Sequence, residues 1–155
     1  MITTIQFTQE QARTLTGLST ETLRHWRKVV PYLQAKSGKS ARFAFSDLIA
    51  LAIGRELIAH FGVHIASIGG GMDALFRALA DTRAALREGS VAILSPTEAS
   101  IHCLEELPTV PLAAPMLVVP CDPLIHRMRQ HMMPVVQRND QPTLPFPPLV
   151  IRSGR

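Results

Sequence analysis

Residues 7–28 read FTQEQARTLTGLSTETLRHWRK, and the fold is decided there. Thr8-Gln9-Glu10-Gln11 has the S/T-x-x-E/Q form of a capping box, which predicts a helix from about Gln9 to Thr16. Ala12 and Leu15 face inward on it. Gly17 stops it, because glycine enters the left-handed conformation without steric cost. Leu18 turns the chain into a core, and Ser19 is a good N-cap for a second helix over Thr20–Lys28. Leu23 and Trp26, three apart, share its buried face. Thr20, Thr22, Arg24, His25 and Arg27 are left to point outward or sideways. Two short helices about a glycine-bearing turn make a helix-turn-helix.

Working outward, Pro31 closes the second helix. Tyr32-Leu33, the polar tip Lys36-Ser37-Gly38-Lys39-Ser40 and the run Arg42-Phe43-Ala44-Phe45 read as a β-hairpin, a wing with a basic tip. Ser46-Asp47 opens a third helix to about His60, with Leu48, Leu51, Ala52, Leu57 and Ile58 at helical spacing. Gly69-Gly70-Gly71 reads as a hinge before a helix from about Met72 to Arg87. Beyond it, Val91–Leu94 reads as a strand. Ser95-Pro96-Thr97-Glu98 reads as a second capping box with proline at the first helical position, opening a helix to Leu107. Met116–Val119 is a second strand, and Asp122-Pro123 caps a last helix ending before Pro134. The expected class is mainly α: a winged helix-turn-helix (residues 1–68), a glycine hinge and connecting helix (69–89), a small α/β element of strand-helix-strand-helix (90–133) and a proline-rich flexible tail (134–155). The two strands are expected parallel, and since two strands make a marginal sheet, a second copy of the chain is expected to help bury them.

Charge supports a polyanion partner. The chain carries net charge +4, and residues 13–42 hold seven basic side chains against the single acid Glu21. A basic segment in an otherwise balanced chain is the footprint of a nucleic-acid binder. The second helix fits a major groove, where Arg24 and Arg27 bond guanine edges or grip phosphates; Thr20 and Thr22 are short enough for close approach, and Lys36, Lys39 and Arg42 reach further phosphates.

Other classes find little purchase. No apolar run approaches the roughly 20 residues that span a bilayer. MITTIQFTQEQ has neither the basic nor the apolar region of a signal peptide, so a cytoplasmic, nucleoid-associated protein is expected. Cys103 and Cys121 are too few for a disulfide framework. With His102, His126 and His131 they lack the tight spacing of a metal site, so no metal and no cofactor is expected. No phosphate loop, HExxH or G-x-S-x-G occurs, and no enzyme is expected.

The motifs Thr16-Gly17-Leu18-Ser19, Thr22-Leu23-Arg24-His25-Trp26 and Phe43-Ala44-Phe45-Ser46-Asp47-Leu48-Ile49-Ala50-Leu51 resemble, in order and spacing, the DNA-binding domain of the MerR family, over about residues 5–68. The resemblance implies a sequence-specific, dimeric transcriptional regulator in which Arg24 and the wing residue Arg42 contact DNA. Phe43 stands where the family has a wing tyrosine, without its hydroxyl, and His25 replaces the usual tyrosine as a phosphate donor. Partners expected are double-stranded DNA and a second copy of the chain, with RNA polymerase a further candidate and no membrane. The family dimerises through a long coiled coil; the helix after the glycines is too short for one, so the C-terminal strands and helices are expected to take that role. An architectural DNA-binding protein (an excision, plasmid-partition or nucleoid factor) and an interaction module without DNA binding are the competing readings.

Overall fold

A computed structural model describes residues 5–81 and 87–139. It is a mixed α/β structure with a helical majority. Strand β1 (Gln6–Thr8) leads into α1 (Gln9–Thr16), then α2 (Thr20–Val29), the single turn α3 (Pro31–Gln34), β2 (Arg42–Ala44) and α4 (Phe45–Phe61). The capping box forms as read: Gln11 N–H donates to Thr8 Oγ1 at 3.2 Å and Thr8 N–H to Gln11 Oε1 at 2.9 Å. Gly17 turns the chain at φ 73°, and Ser19 Oγ accepts from Thr22 N–H. Leu23 and Trp26 are buried, with Ala12, Leu15 and Leu18 beside them.

The expected wing hairpin is not formed. β2 pairs antiparallel with β1, in the register Gln6↔Ala44, Phe7↔Phe43, Thr8↔Arg42. Pro31 starts a turn of helix instead of a strand, which suits a residue whose φ is preset for the first helical position. Residues 35–41 are then a loop that returns the chain to β1.

Gly69-Gly70-Gly71 does not form a hinge. The three residues are the first turn of α5 (Gly69–Asp81), with Gly69 and Gly71 buried. A Cβ on Gly69 would lie 2.7 Å from Val29 Cγ1, and one on Gly71 would lie 1.9 Å from the Ser95 carbonyl oxygen. Gly71 N–H donates to Pro96 O at 2.9 Å. These glycines let α5 press against the end of α2 on one side and a β-turn on the other.

That turn stands where the sequence leads one to expect the start of a helix. Ser95–Glu98 opens no helix; it joins β3 (Ser90–Leu94) to β4 (Ala99–Cys103) in a hairpin closed by Ser95 N–H to Glu98 O at 2.8 Å. Residues 104–109 are a 3-10 turn, and β5 (Leu117–Pro120) follows. The sheet order is β4-β3-β5 with both pairings antiparallel, so the expected parallel strand-helix-strand-helix element is replaced by a three-stranded meander. β3 is central and wholly buried. Ala92 and Leu94 on one face, with Ile101, Leu117 and Val119 of the flanking strands, pack on the main core. α6 (Asp122–Asn139) continues past Pro134 instead of ending before it. Asp122 accepts from Gly89 N–H, tying the helix start to the head of β3. Leu124, Ile125 and Met128 are buried, and one apolar cluster runs from Phe7 through Trp26, Phe43, Leu75 and Phe76 to Met128. The segment from β1 to α4 and the C-terminal meander therefore share a core. The expected tail lies, from residue 140, outside the described residues, as does the end of the expected connecting helix at residues 82–86.

Candidate nucleic-acid interface

α2 is amphipathic at a helical period: Leu23 and Trp26 point into the core, while Thr20, Glu21, Arg24, His25 and Lys28 are exposed. Spacing of three and four along the helix puts Glu21, Arg24, His25 and Lys28 on one stripe. No hydrogen bond or ion pair holds the side chains of Arg24, His25 or Lys28 among the described residues, so all three are open to a ligand. Thr22 is half-buried and its hydroxyl lies 2.8 Å from Ser19 Oγ, which fixes it to the helix cap. Lys28 was not singled out by sequence reasoning, although its place four residues after Arg24 was enough to find it.

Three expected DNA contacts are engaged elsewhere. Phe43 is fully buried, in the core beneath the loop, because β2 alternates and this residue takes the inward side. Lys36 does not reach outward: its Nζ is 2.6 Å from Asp47 Oδ2 and 3.0 Å from Arg42 O. Asp47 is 1% exposed, so its carboxylate needs a countercharge, and it also accepts from Tyr32 Oη at 2.7 Å and Ala44 N–H at 2.8 Å. The ammonium further sits 5.4 Å from the Tyr32 ring centroid and 5.7 Å from that of Phe43. Arg27 is half-buried; its Nε and Nη2 donate to Lys36 O and its Nη2 to Gln9 Oε1 at 2.7 Å. It clamps α2 to the loop and to the start of α1, and burial pulls its pKa below the ordinary arginine value.

The network extends to α5. Tyr32 N–H donates to Asp73 Oδ1 at 2.7 Å, and Asp73 Oδ2 accepts from Arg77 Nε at 2.9 Å. The Tyr32 ring stacks on Phe76 with centroids 4.9 Å apart. Burial, then the bond to Asp47, pushes the Tyr32 phenol well above its usual range, so it stays a neutral donor.

Lys39 and Arg42 are exposed on the loop and β2; Arg42 Nη1 donates to Ala41 O at 3.0 Å. Between this loop and the start of α1 lies an open cleft of about 780 Å³, whose walls include Thr8, Gln9, Arg13, Arg27, Gly38 and Lys39. Arg13 Nε is buried without a hydrogen-bond partner among the described residues. Three cationic side chains, Arg13, Arg27 and Lys39, thus line one cleft, against Glu10 as its one acid. Arg13 was missed in the sequence because it sits on the first helix, where the helix period alone marks it only as a flank.

No protein-family description, no curated protein and no solved structure matches this chain. Among the described residues no three His, Cys, Asp or Glu side chains gather as a metal site would, and no helix is long and apolar enough to cross a membrane.

Proposed function

We propose that this chain binds double-stranded DNA and acts as a sequence-specific transcriptional regulator of MerR-like type. The observation that carries the reading is the exposed stripe of α2, with Arg24, His25 and Lys28 unpaired beside Thr20, on a short helix capped at Ser19 and backed by the core through Leu23 and Trp26. Such a helix enters a major groove, and arginine there bonds guanine O6 and N7 bidentately. The cleft holding Arg13 and Lys39, together with Arg42, supplies phosphate contacts that orient the helix but carry no sequence choice. Arg27 and Lys36 hold the frame in place and are not contacts.

The regulator acts as a dimer on a two-fold site. β4 and β5 are the sheet edges, and Leu104, Leu112 and Val118 are exposed apolar side chains in or beside them, which favours the meander as the contact between copies.

Selection of the full chain against a random duplex library, followed by anisotropy titrations over a range of salt, tests the reading. The expected result is an enriched sequence whose affinity falls with salt as phosphate-bound counterions are released. An absence of salt-dependent binding to any duplex refutes it. Genome-wide occupancy at promoters with accompanying transcript changes separates a regulator from an architectural protein.

A further inference from the structure

Where α1 ends, a pocket of about 230 Å³ opens between α1, α4 and α6. Gly17, Arg55, Glu56, Arg127 and His131 are among the residues that line it. Arg55 is exposed, yet it is placed: a Cβ on Gly17 would meet its Cζ at 3.2 Å and its Nε at 3.3 Å, so the guanidinium lies against the bare backbone of the turn. It has no hydrogen-bond or ion-pair partner among the described residues. Arg127 reaches from α6 to Glu56 Oε1 at 2.9 Å, and Glu56 Oε2 is 2.8 Å from His60 Nε2. The one carboxylate in the pocket is therefore shared by two partners, neither of them Arg55. His131 stands one helical turn beyond Arg127 on α6.

We propose that this pocket binds a small anion through a terminal phosphate or carboxylate group, with Arg55 and Arg127 as the two gripping guanidiniums. Guanidiniums present planar donor forks that match such groups bidentately. The volume suits a charged group and a few further atoms rather than a large ligand. A guanidinium already laid against Gly17 loses little side-chain freedom when the ligand arrives, which favours binding. The ligand would join the turn of the helix-turn-helix to α6, the last helix of the C-terminal half. This inference does not rest on DNA binding, since every residue in it lies outside the proposed duplex surface.

The probe is pyrophosphate, titrated into the full chain while the backbone amide of Gly17 is followed by NMR. A saturable shift at Gly17 is expected. Arg55→Gln removes an unpaired surface group, leaves the fold intact and weakens binding about ten- to a hundredfold, the worth of a hydrogen bond to a charged group. Glu56→Gln acts in the opposite direction: it releases Arg127 from its carboxylate and tightens binding. Pyrophosphate is expected to bind equally well when duplex DNA is already bound. The proposal is overturned by a non-saturable shift, by an Arg55→Gln protein that binds as the parent does, or by duplex DNA displacing the pyrophosphate. The last result would make the pocket part of the duplex surface.

Discussion

Gly71→Ala puts opposite signs on two views of the triple glycine. In an exposed or hinge-like first turn of a helix, alanine in place of glycine stabilises by about 0.5–1 kcal/mol, because it restricts the unfolded chain. In this structure the added methyl would stand 1.9 Å from the Ser95 carbonyl oxygen and 3.3 Å from that of Glu98. Both are backbone atoms of the β3–β4 turn and cannot swing aside as a side-chain tip can. Relieving the overlap means lifting α5 off the turn, which costs about 3 kcal/mol as overpacking. It also breaks the 2.9 Å bond from Gly71 N–H to Pro96 O, worth about 1 kcal/mol. Set against the gain in helix propensity, the net loss is about 3 kcal/mol. With a urea slope of about 2 kcal/mol per molar, the unfolding midpoint falls by about 1.5 M. Gly70→Ala, whose Cβ would meet Pro96 O at 3.2 Å, should cost much less. Urea unfolding followed by circular dichroism reads both. A Gly71→Ala protein as stable as the parent, or more so, refutes the close-packing argument and restores the hinge.

Three other outcomes follow from the same geometry. Lys36→Met strands the buried Asp47 carboxylate and should cost about 3 kcal/mol of stability, since breaking a buried pair leaves an uncompensated charge; a loss under about 0.5 kcal/mol, the size of an ordinary surface change, would contradict that role. Arg24→Ala should leave thermal stability unchanged and lower duplex affinity by about 1–3 kcal/mol. Arg27→Ala should instead lower stability, by freeing the loop carbonyl of Lys36 and Gln9; the same profile for both variants would show that clamp and contact have been misassigned. Cys121 is buried, and its thiol pKa is raised by that burial to about 11. It should resist a thiol reagent at pH 8 until the chain unfolds, while the half-buried Cys103 is modified. Because the folded value is the higher one, the unfolded chain ionises first, and stability should fall as pH climbs from about 9 to about 11. Labelling of Cys121 in the folded chain as fast as Cys103 would contradict its burial.

The parts of the fold that local chemistry dictates were legible, and the parts that depend on distant partners were not. Thr8, Gln11, Gly17 and Ser19 act within four residues of themselves, so the start, stop and turn of the first two helices could be read directly. The expected wing does not form because the partner of β2 is β1, which lies before α1, and nothing within residues 31–45 reveals that pairing. Ser95-Pro96-Thr97-Glu98 was ambiguous at the level of its own hydrogen bonds: Ser95 Oγ accepts from Glu98 N–H at 3.0 Å, as an N-cap would, yet the chain goes on into a strand. The pairing of Ala99–Cys103 with β3 settles it, and that is a tertiary fact. The triple glycine is ambiguous for a related reason. A run of three looks flexible by composition, and only the position of the β-turn reveals that the backbone needs the room.

The basic residues show the same limit, and its consequence bears on function. Charge counting treats Arg27, Lys36, Lys39 and Arg42 alike. In the fold, Lys36 faces a carboxylate that is 1% exposed and Arg27 faces a loop carbonyl, so two of the four are consumed in fixing the loop to α2 and α4. A buried ion pair is a poor source of net stability, since desolvation offsets most of the attraction, but it is a strict source of geometry, because any other placement leaves a charge unpaired. Here it seats the loop bearing Lys39 on α4, and the Arg27 bonds to Lys36 O hold that loop against α2. Through Tyr32 the same network reaches Asp73 and Phe76 on α5, and α5 is seated on the β3–β4 turn by Gly71. The stripe carrying Arg24 is thus connected, by packed and hydrogen-bonded groups at every step, to the C-terminal meander. A change at the meander that shifts α5 must move Asp73, and Asp73 holds the first turn after α2. Under the proposed function, that chain of contacts is the physical route by which the C-terminal half sets the pose of the DNA-reading helix.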